Sequence, residues 1–343
     1  MLANLAVTAA AAAGAPLLSG DAAPTNDALL GQLLVSRLRD AMLGLGHRPP
    51  DVRPEALSTD LSRALADFHT CRYASLAVRL PRLLQAGHAL TTSSEDPEHH
   101  LLLANSYTLA TRMLIKLDEQ QLGWMAADRA RQLAAASADP LSVAEAARQL
   151  AVLARKAQWH DQALSIALTA ADDPALRTAG RQGTAQRGLL IQSAAYTAAR
   201  CGDRDGMRDL TSEAAAIADG LGGATLLRDH GGGFSPVTVQ LHLISAENSA
   251  GDPMAALAAA RAISPKALPS AERRSRYHTD VATALARRGH RDECVRALLA
   301  AEQQAPEETH ARPAVKSLIS GLLVSGRTIP ELRGLAARAG VLA

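Results

Sequence analysis

The sequence predicts an all-α fold, a right-handed α-solenoid of about seven stacked helical hairpins. Hydrophobic residues make up 48% of the 343 residues and aromatic residues only 2%, so Ala, Leu and Val supply most of the apolar content. Ala and Leu are strong helix formers, whereas sheets favour aromatic and β-branched residues. Clusters of helix-breaking residues recur roughly every 35 to 45 residues, which is the spacing of helical-hairpin repeats.

The breaker clusters give the order of the elements. Pro140, Pro236, Pro253, Pro306 and Pro330 fall near predicted helix starts, where a missing N–H is harmless. The predicted hairpins pair residues 57–69 with 73–90, 97–117 with 120–137, 140–156 with 159–171, 181–201 with 203–221, 236–250 with 253–263, 270–288 with 291–304, and 306–325 with 329–339. We expect the glycine-rich residues 220–233 to form a flexible loop between two hairpins.

Small residues recur where the two helices of a hairpin must come close. In the third hairpin they are Ala151, Ala154, Ala163 and Ala167, with Trp159 between them. One hairpin cannot bury its apolar face alone, so neighbouring hairpins stack. This spacing resembles that of tetratricopeptide repeats. A plain helical bundle is the alternative.

The N-terminal segment differs from the rest of the chain. We expect residues 1–51 to form an Ala-rich, partly disordered tether with one helix at 27–43, and residues 52–343 to form the repeat domain. No Lys or Arg precedes Arg37, so the charged start of a signal peptide is missing, and the apolar run is too short for a membrane span. Three widely spaced cysteines fit a reducing, cytoplasmic setting; secretion is the alternative.

Residue patterns for catalysis, cofactors and metals are weak. The run His230–Gly233 resembles an esterase oxyanion loop, but no Gly-x-Ser-x-Gly turn follows it. No phosphate-binding glycine motif and no His-Glu-x-x-His pair occurs. Paired acids such as Glu307 and Glu308 are expected to complement helix dipoles. The densest basic cluster, Arg273, Arg274 and Arg276, is interpreted as a solvated helix face, and contact of these guanidinium groups with an anionic ligand is the alternative. We therefore predict a protein that is not an enzyme and has no cofactor or metal.

Several segments resemble the tetratricopeptide-type C-terminal region of actinobacterial helix-turn-helix transcriptional regulators of the XRE type. They are residues 72–76 (RYASL), 80–84 (LPRLL), 123–130 (GWMAADRA), 234–242 (FSPVTVQLH), 268–274 (LPSAERR) and 330–336 (PELRGLA). Such regulators carry a DNA-binding domain before the repeats. No such domain is recognisable here, and the net charge is only +2. DNA contact is therefore expected only through a helix-turn-helix domain missing from this chain.

The stacked hairpins and the segment 234–242 lead us to expect that the first helices of successive repeats line a concave groove for a peptide, protein or small-molecule effector, with a homodimer possible. The candidate lining residues are Asn105, Tyr107, Gln192, Tyr196, Thr238, Gln240, His242, Tyr277 and Asp280. Repeat packing is the alternative role for the tyrosines, and a buried structural role for His242. A sensor predicts an enclosed pocket with convergent polar groups. A general protein–protein scaffold, which is the alternative function, predicts an open groove and no small ligand.

Overall fold

The computed structural model describes residues 26–45, 52–227, 230–326 and 329–341. Over these residues the fold is helical apart from one short β-hairpin, which confirms the predicted all-α class. The helices are α1 (Asn26–Met42), α2 (Pro54–His69), α3 (Tyr73–Ser93), α4 (Pro97–Lys116), α5 (Gln120–Ser137), α6 (Pro140–Lys156), α7 (His160–Ala171), α8 (Pro174–Thr178), α9 (Gly180–Cys201), α10 (Arg204–Gly220), α11 (Pro236–Ser249), α12 (Pro253–Arg261), α13 (Ala271–Arg287), α14 (Arg291–Gln304), α15 (Pro306–Ala311), α16 (Pro313–Val324) and α17 (Pro330–Arg338). The two strands are β1 (Thr225–Leu227) and β2 (His230–Phe234).

Local sequence signals set the helix starts. Helix α6 begins at Pro140, and the Asp139 carboxylate accepts a hydrogen bond from the Ser142 N–H at 2.7 Å. Helix α11 begins at Pro236 behind a capping box, in which Ser235 and the third helical residue, Thr238, each bond the backbone of the other. A proline in the first turn and a polar cap before it satisfy the N–H groups that a helix start leaves unpaired.

The same type of turn joins the two helices in each of six helix pairs. Between the two helices of each pair one residue adopts a left-handed conformation, and the N–H that follows it donates to a carbonyl oxygen five residues earlier, as in the 2.9 Å bond from Trp159 to Ala154. This is the hydrogen bond of a Schellman motif, which favours glycine at the left-handed position. The six turn residues are Cys71, Asp118, Gln158, Gly202, Gly251 and Gly289. The hairpin geometry is therefore repeated along the chain.

The first helices of these pairs form a closed ring. Helix α2 contacts α4, α4 contacts α6, α6 contacts α9, α9 contacts α11, α11 contacts α13, and α13 contacts α2 again. Helix α1 also connects helices near the two ends of the ring, because it packs against α3 and α15. The ring brings helices near the two ends of the chain together around a central space.

Helix α1 confirms the helix predicted at residues 27–43. Its Leu34 and Leu38 are fully buried in one apolar cluster with Leu61, Phe68 and Leu103. This segment therefore contributes to the same core as the helices that follow it. The tether predicted for residues 1–25 and 46–51 lies outside the described residues.

Two predictions about the chain's course need correction. The segment expected to be a flexible loop contains the β-hairpin, whose Phe234 is fully buried beside Gly188 of α9. The helix predicted over residues 306–325 is interrupted at Arg312, which is extended (φ −76°, ψ 119°). The break arises because Pro313 lacks an N–H and disfavours helical geometry in the residue before it. Within the described ranges, no helix has the length and apolar character needed to cross a membrane.

Candidate functional site

The ring of first helices surrounds a cavity of about 590 Å³. Side chains reach it at helical spacing: on α6 they include Arg148, Val152 and Arg155, and on α13 they include Arg273 and Arg276. Residues three, four or seven apart lie on one face of a helix, so α6 and α13 each turn one mainly polar stripe to the cavity. Nine cationic residues line it: Arg112, Lys116, Arg148, Arg155, Lys156, Arg200, Arg273, Arg276 and Arg312.

Arg148 is held by a buried carboxylate. Its Nε and Nη2 atoms donate to the two oxygens of Glu145 at 2.8 and 2.7 Å, and Gln149 and Gln186 also donate to this carboxylate. Burial by itself would raise the pKa of Glu145, but the paired guanidinium and the amide donors lower it to about 2. Glu145 therefore stays ionised and fixes the position of Arg148.

Arg155 is fixed by neutral groups. Its Nη1 donates to the Ser193 carbonyl oxygen at 3.2 Å and lies 3.3 Å from the Ser193 and Thr197 hydroxyl oxygens. Its guanidinium carbon lies 4.5 Å from the centroid of the Tyr196 ring, at the distance of a cation–π contact. Burial lowers the pKa of Arg155 to about 10, and the positive charge of Arg148 acts in the same direction.

His242 lies against the arginines of α13. Its Nε2 is 3.1 Å from Nη1 of Arg273, and because a guanidinium only donates hydrogen bonds, Nε2 is the acceptor and carries no proton. Burial, together with the charges of Arg276 and Arg273, holds the pKa of His242 well below its usual value. His242 is therefore neutral near pH 7 and serves as a hydrogen-bond acceptor for the arginine.

Arg276 and Asp280 form a second polar group on α13. The Ser245 hydroxyl donates to the Asp280 carboxylate, and Arg276 Nη2 donates to the same hydroxyl oxygen at 3.0 Å. Arg276 Nε lies 3.7 Å from Asp280 Oδ2. Burial raises the pKa of Asp280 above its usual value, although Arg276 opposes the shift.

One edge of the cavity is the junction that closes the ring. The Lys116 ammonium of α4 lies between two buried carboxylates, 2.8 Å from Glu272 and 2.7 Å from Glu308. Glu308 also pairs with Arg312 at 2.6 Å and accepts a hydrogen bond from the Tyr73 hydroxyl. Burial lowers the pKa of Lys116 to about 7 and raises that of Glu308, each against the attraction of its partners. This cluster links residues more than 150 positions apart in the chain.

Glu307 makes a further contact across the junction. Its carboxylate accepts the backbone N–H groups of Tyr73 and Ala74 at 2.5 and 3.0 Å, where α3 begins. A carboxylate at a helix N-terminus is favoured by unpaired N–H groups and by the helix dipole. Glu307 therefore caps a helix distant in sequence, whereas Glu308 is a buried ion-pair partner rather than the simple dipole complement expected from the sequence.

The structure brings four of the nine candidate residues together at the cavity: Gln192 and Tyr196 on α9, His242 on α11, and Asp280 on α13. Gln192 also donates to the Thr238 carbonyl oxygen at 3.3 Å, joining α9 to α11. Whether these residues bind a ligand stays a prediction.

The other five candidates lie outside the cavity lining. Asn105 accepts a hydrogen bond from Ser142 at 3.2 Å, and the Tyr107 hydroxyl lies 2.7 Å from His88 Nε2. Thr238 belongs to the capping box of α11. Gln240 and Tyr277 donate to the carbonyl oxygens of Ala259 and Ala260 of α12. Thr238 thus caps its own helix, whereas the other four side chains join neighbouring helices instead of facing the cavity.

Sequence reasoning offered anion contact by the α13 arginines only as the alternative, and it did not single out Arg148 and Arg155. The expectation that Arg273, Arg274 and Arg276 form a solvated face was wrong: Arg273 is only 5% exposed, Arg276 lines the cavity, and Arg274 donates to the Gln304 side chain at 2.7 Å. The spacing of Arg273 and Arg276 was an available signal, since residues three apart share a helix face. The closure of the ring decides which face of a helix lines the cavity, and no local sequence pattern specifies that closure.

Comparisons and metal chemistry add no further constraint. In the part of the chain that the structure describes, no three His, Cys, Asp or Glu side chains are grouped to hold a metal ion. Neither a family model, nor a curated protein, nor a solved structure matches the chain. The resemblance to helix-turn-helix regulators therefore rests on its motifs alone.

Proposed function

We propose that this chain is a non-catalytic, tetratricopeptide-like repeat region that senses an effector in its central cavity, as part of a cytoplasmic transcriptional regulator of the XRE type. The observation that carries the sensing role is the partly open cavity of about 590 Å³, on which polar side chains of six different helices converge. Small-molecule sites are concave, contain a few convergent polar groups, and have volumes of about 300 to 1,000 Å³.

Two further observations support the repeat architecture and the regulator. The same Schellman turn recurs in six helix pairs, as stacked copies of one hairpin unit require. The motif order of the regulator family supports the biological context. In that context the effector would shift the equilibrium between more closed and more open arrangements of the ring. A separate helix-turn-helix domain would contact DNA.

A thermal-shift screen of the purified chain against a metabolite panel tests the sensing role. A ligand at 100 times its dissociation constant stabilises the folded state by about 2.7 kcal/mol, which is readily detected as a higher melting temperature. The matched variants are Val152→Trp, which fills part of the cavity, and Val324→Trp, which places the same side chain at an 89% exposed position.

We expect at least one compound to stabilise the wild type and Val324→Trp but not Val152→Trp. A panel without any stabilising compound, combined with capture of a protein partner, would instead favour the scaffold function. A compound that stabilises all three proteins equally would bind elsewhere and would also count against the proposal.

A further inference from the structure

We propose that the ligand of the central cavity is a small organic polyanion, carrying a phosphate group or several carboxylates, that is bound by the arginines of α6, α9 and α13. This inference rests on the proposed function and specifies the chemistry of the same site. It follows from the charge of the cavity, from the way its guanidinium groups are paired, and from its size.

The charge of the cavity is strongly one-sided. Nine cationic residues line it, against three carboxylates, Asp118, Glu272 and Asp280. Glu145 and Glu308, which bond lining cations from behind, add two more carboxylates. The resulting positive excess is larger than the formal charge of +2 of the whole chain. Positive charge is therefore concentrated in this partly open cavity, and a cleft lined by one sign of charge focuses field lines and raises the local concentration of anions.

The pairing of the guanidinium groups is incomplete. Among the described residues no carboxylate forms an ion pair with Arg155, which is 8% exposed and bonded to hydroxyl and carbonyl oxygens. The Nε atom of Arg273 is 3.6 Å from the Glu272 carboxylate, and its Nη1 atom donates a hydrogen bond to the neutral His242. Guanidinium groups keep their charge at neutral pH, and buried charges need partners. An anion supplied from solution would provide them.

Like charges also crowd one another. The positive charges of Arg148 and Arg276 both act to lower the pKa of Arg155, and the same two residues act on Arg273. A single carboxylate has one negative charge and two acceptor oxygens, whereas a phosphate or a polycarboxylate offers more of both and can pair with several guanidinium groups at once, often in the two-bond geometry that arginine favours. The arrangement therefore fits a ligand with more than one negative charge.

The size and lining of the cavity favour a metabolite over a nucleic-acid strand. A volume of about 590 Å³ is in the range of small-molecule sites. The aromatic residues of the lining are Phe68 and Tyr196. The Arg112 and Lys116 cations already cover the Phe68 ring and Arg155 covers the Tyr196 ring. Single-stranded nucleic acids need free stacking platforms, which these two rings do not offer.

The test is isothermal titration of the full-length chain with pyrophosphate, citrate and inorganic phosphate, with glucose as a neutral probe, at matched ionic strength. The variants are Arg155→Gln, Arg200→Gln and Arg288→Gln. Arg200 lines the cavity but is exposed, so its replacement leaves the core intact. Arg288 is exposed outside the cavity and serves as the control for a lost positive charge.

We expect pyrophosphate or citrate to bind at least tenfold more tightly than phosphate, and Arg155→Gln or Arg200→Gln to weaken this binding at least tenfold while Arg288→Gln does not. Equal weakening by all three variants would indicate non-specific attraction and overturn the inference. If the polyanions fail to bind while a neutral compound from the metabolite panel binds in a manner sensitive to Val152→Trp, the polyanion inference fails and the sensing function stands. If no probe of either kind binds, both fail.

Discussion

Replacing Gly188 with Ala tests whether the glycine-rich segment is fixed against α9. Inside a helix, Ala is normally more stable than Gly by about 0.5 to 1 kcal/mol. At Gly188, however, a Cβ would lie 2.5 Å from Cε1 of the Phe234 ring and still closer to its Cζ. The ring is fully buried, and overpacking such a site costs about 1 to 3 kcal/mol. We expect Gly188→Ala to destabilise the protein by about 1 kcal/mol.

The sign should reverse once the ring is removed. Phe234→Ala should itself cost about 3 to 5 kcal/mol, but it opens the space that the new methyl group needs, so Gly188→Ala should then stabilise by about 0.5 to 1 kcal/mol. The coupling between the two sites is therefore about 2 kcal/mol. Urea unfolding followed by circular dichroism, with midpoints compared at constant slope, measures all four proteins.

Gly321→Ala in α16 is the matched control, because a Cβ there meets no atom within 4 Å. It should stabilise the wild type and Phe234→Ala alike, by about 0.5 to 1 kcal/mol. The reasoning is refuted if Gly188→Ala stabilises the wild type as Gly321→Ala does, or if its effect is the same with and without the Phe234 ring.

Two further predictions concern the buried charges. Lys116→Met removes the ammonium partner of the buried Glu272 and Glu308 carboxylates and should lower the free energy of unfolding by about 3 to 5 kcal/mol. Urea unfolding measures this change, and an unchanged midpoint would contradict the role of these ion pairs in closing the ring. The folded-state pKa of His242 is depressed, so the unfolded chain binds more protons below about pH 6.5 and stability falls as the pH falls. His242→Asn cannot titrate, so its melting temperature should decrease less than that of the wild type between pH 7.5 and 5.5; parallel curves would show that His242 titrates normally.

Features set by neighbouring residues could be predicted from the sequence. Helices α6, α11 and α12 begin at Pro140, Pro236 and Pro253 as expected, because a proline and the polar residue before it determine a helix start within one turn. The order of the helix pairs followed from the same helix-breaking residues. Even here the prediction missed the break at Arg312, although Pro313 is a local signal of the same kind.

Features set by the closed ring could not be predicted. Lys116 reaches Glu272 and Glu308 across 156 and 192 positions, and nothing near Lys116 in the sequence specifies these partners. The inward face of each first helix depends on how the ring closes, so Asn105 and Tyr277 were placed at the cavity while Arg148 and Arg155 were overlooked. A stripe of arginines on a helix predicts solvent exposure unless a distant element covers it.

The junction and the proposed ligand site share Glu272, and this suggests how binding could be transmitted. The Glu272 carboxylate is 2.8 Å from Lys116 across the junction and 3.6 Å from Arg273 in the cavity. A polyanion at Arg273 would take over part of the pairing that Glu272 now divides between two cations. Glu272 would then interact more fully with Lys116, and the closed ring would be favoured over more open arrangements. A ligand shifts the equilibrium between two states of a protein only if it binds one state more tightly than the other. An effector that pairs with Arg273 in the closed ring would meet this condition, because it would bind the closed ring more tightly than the open one.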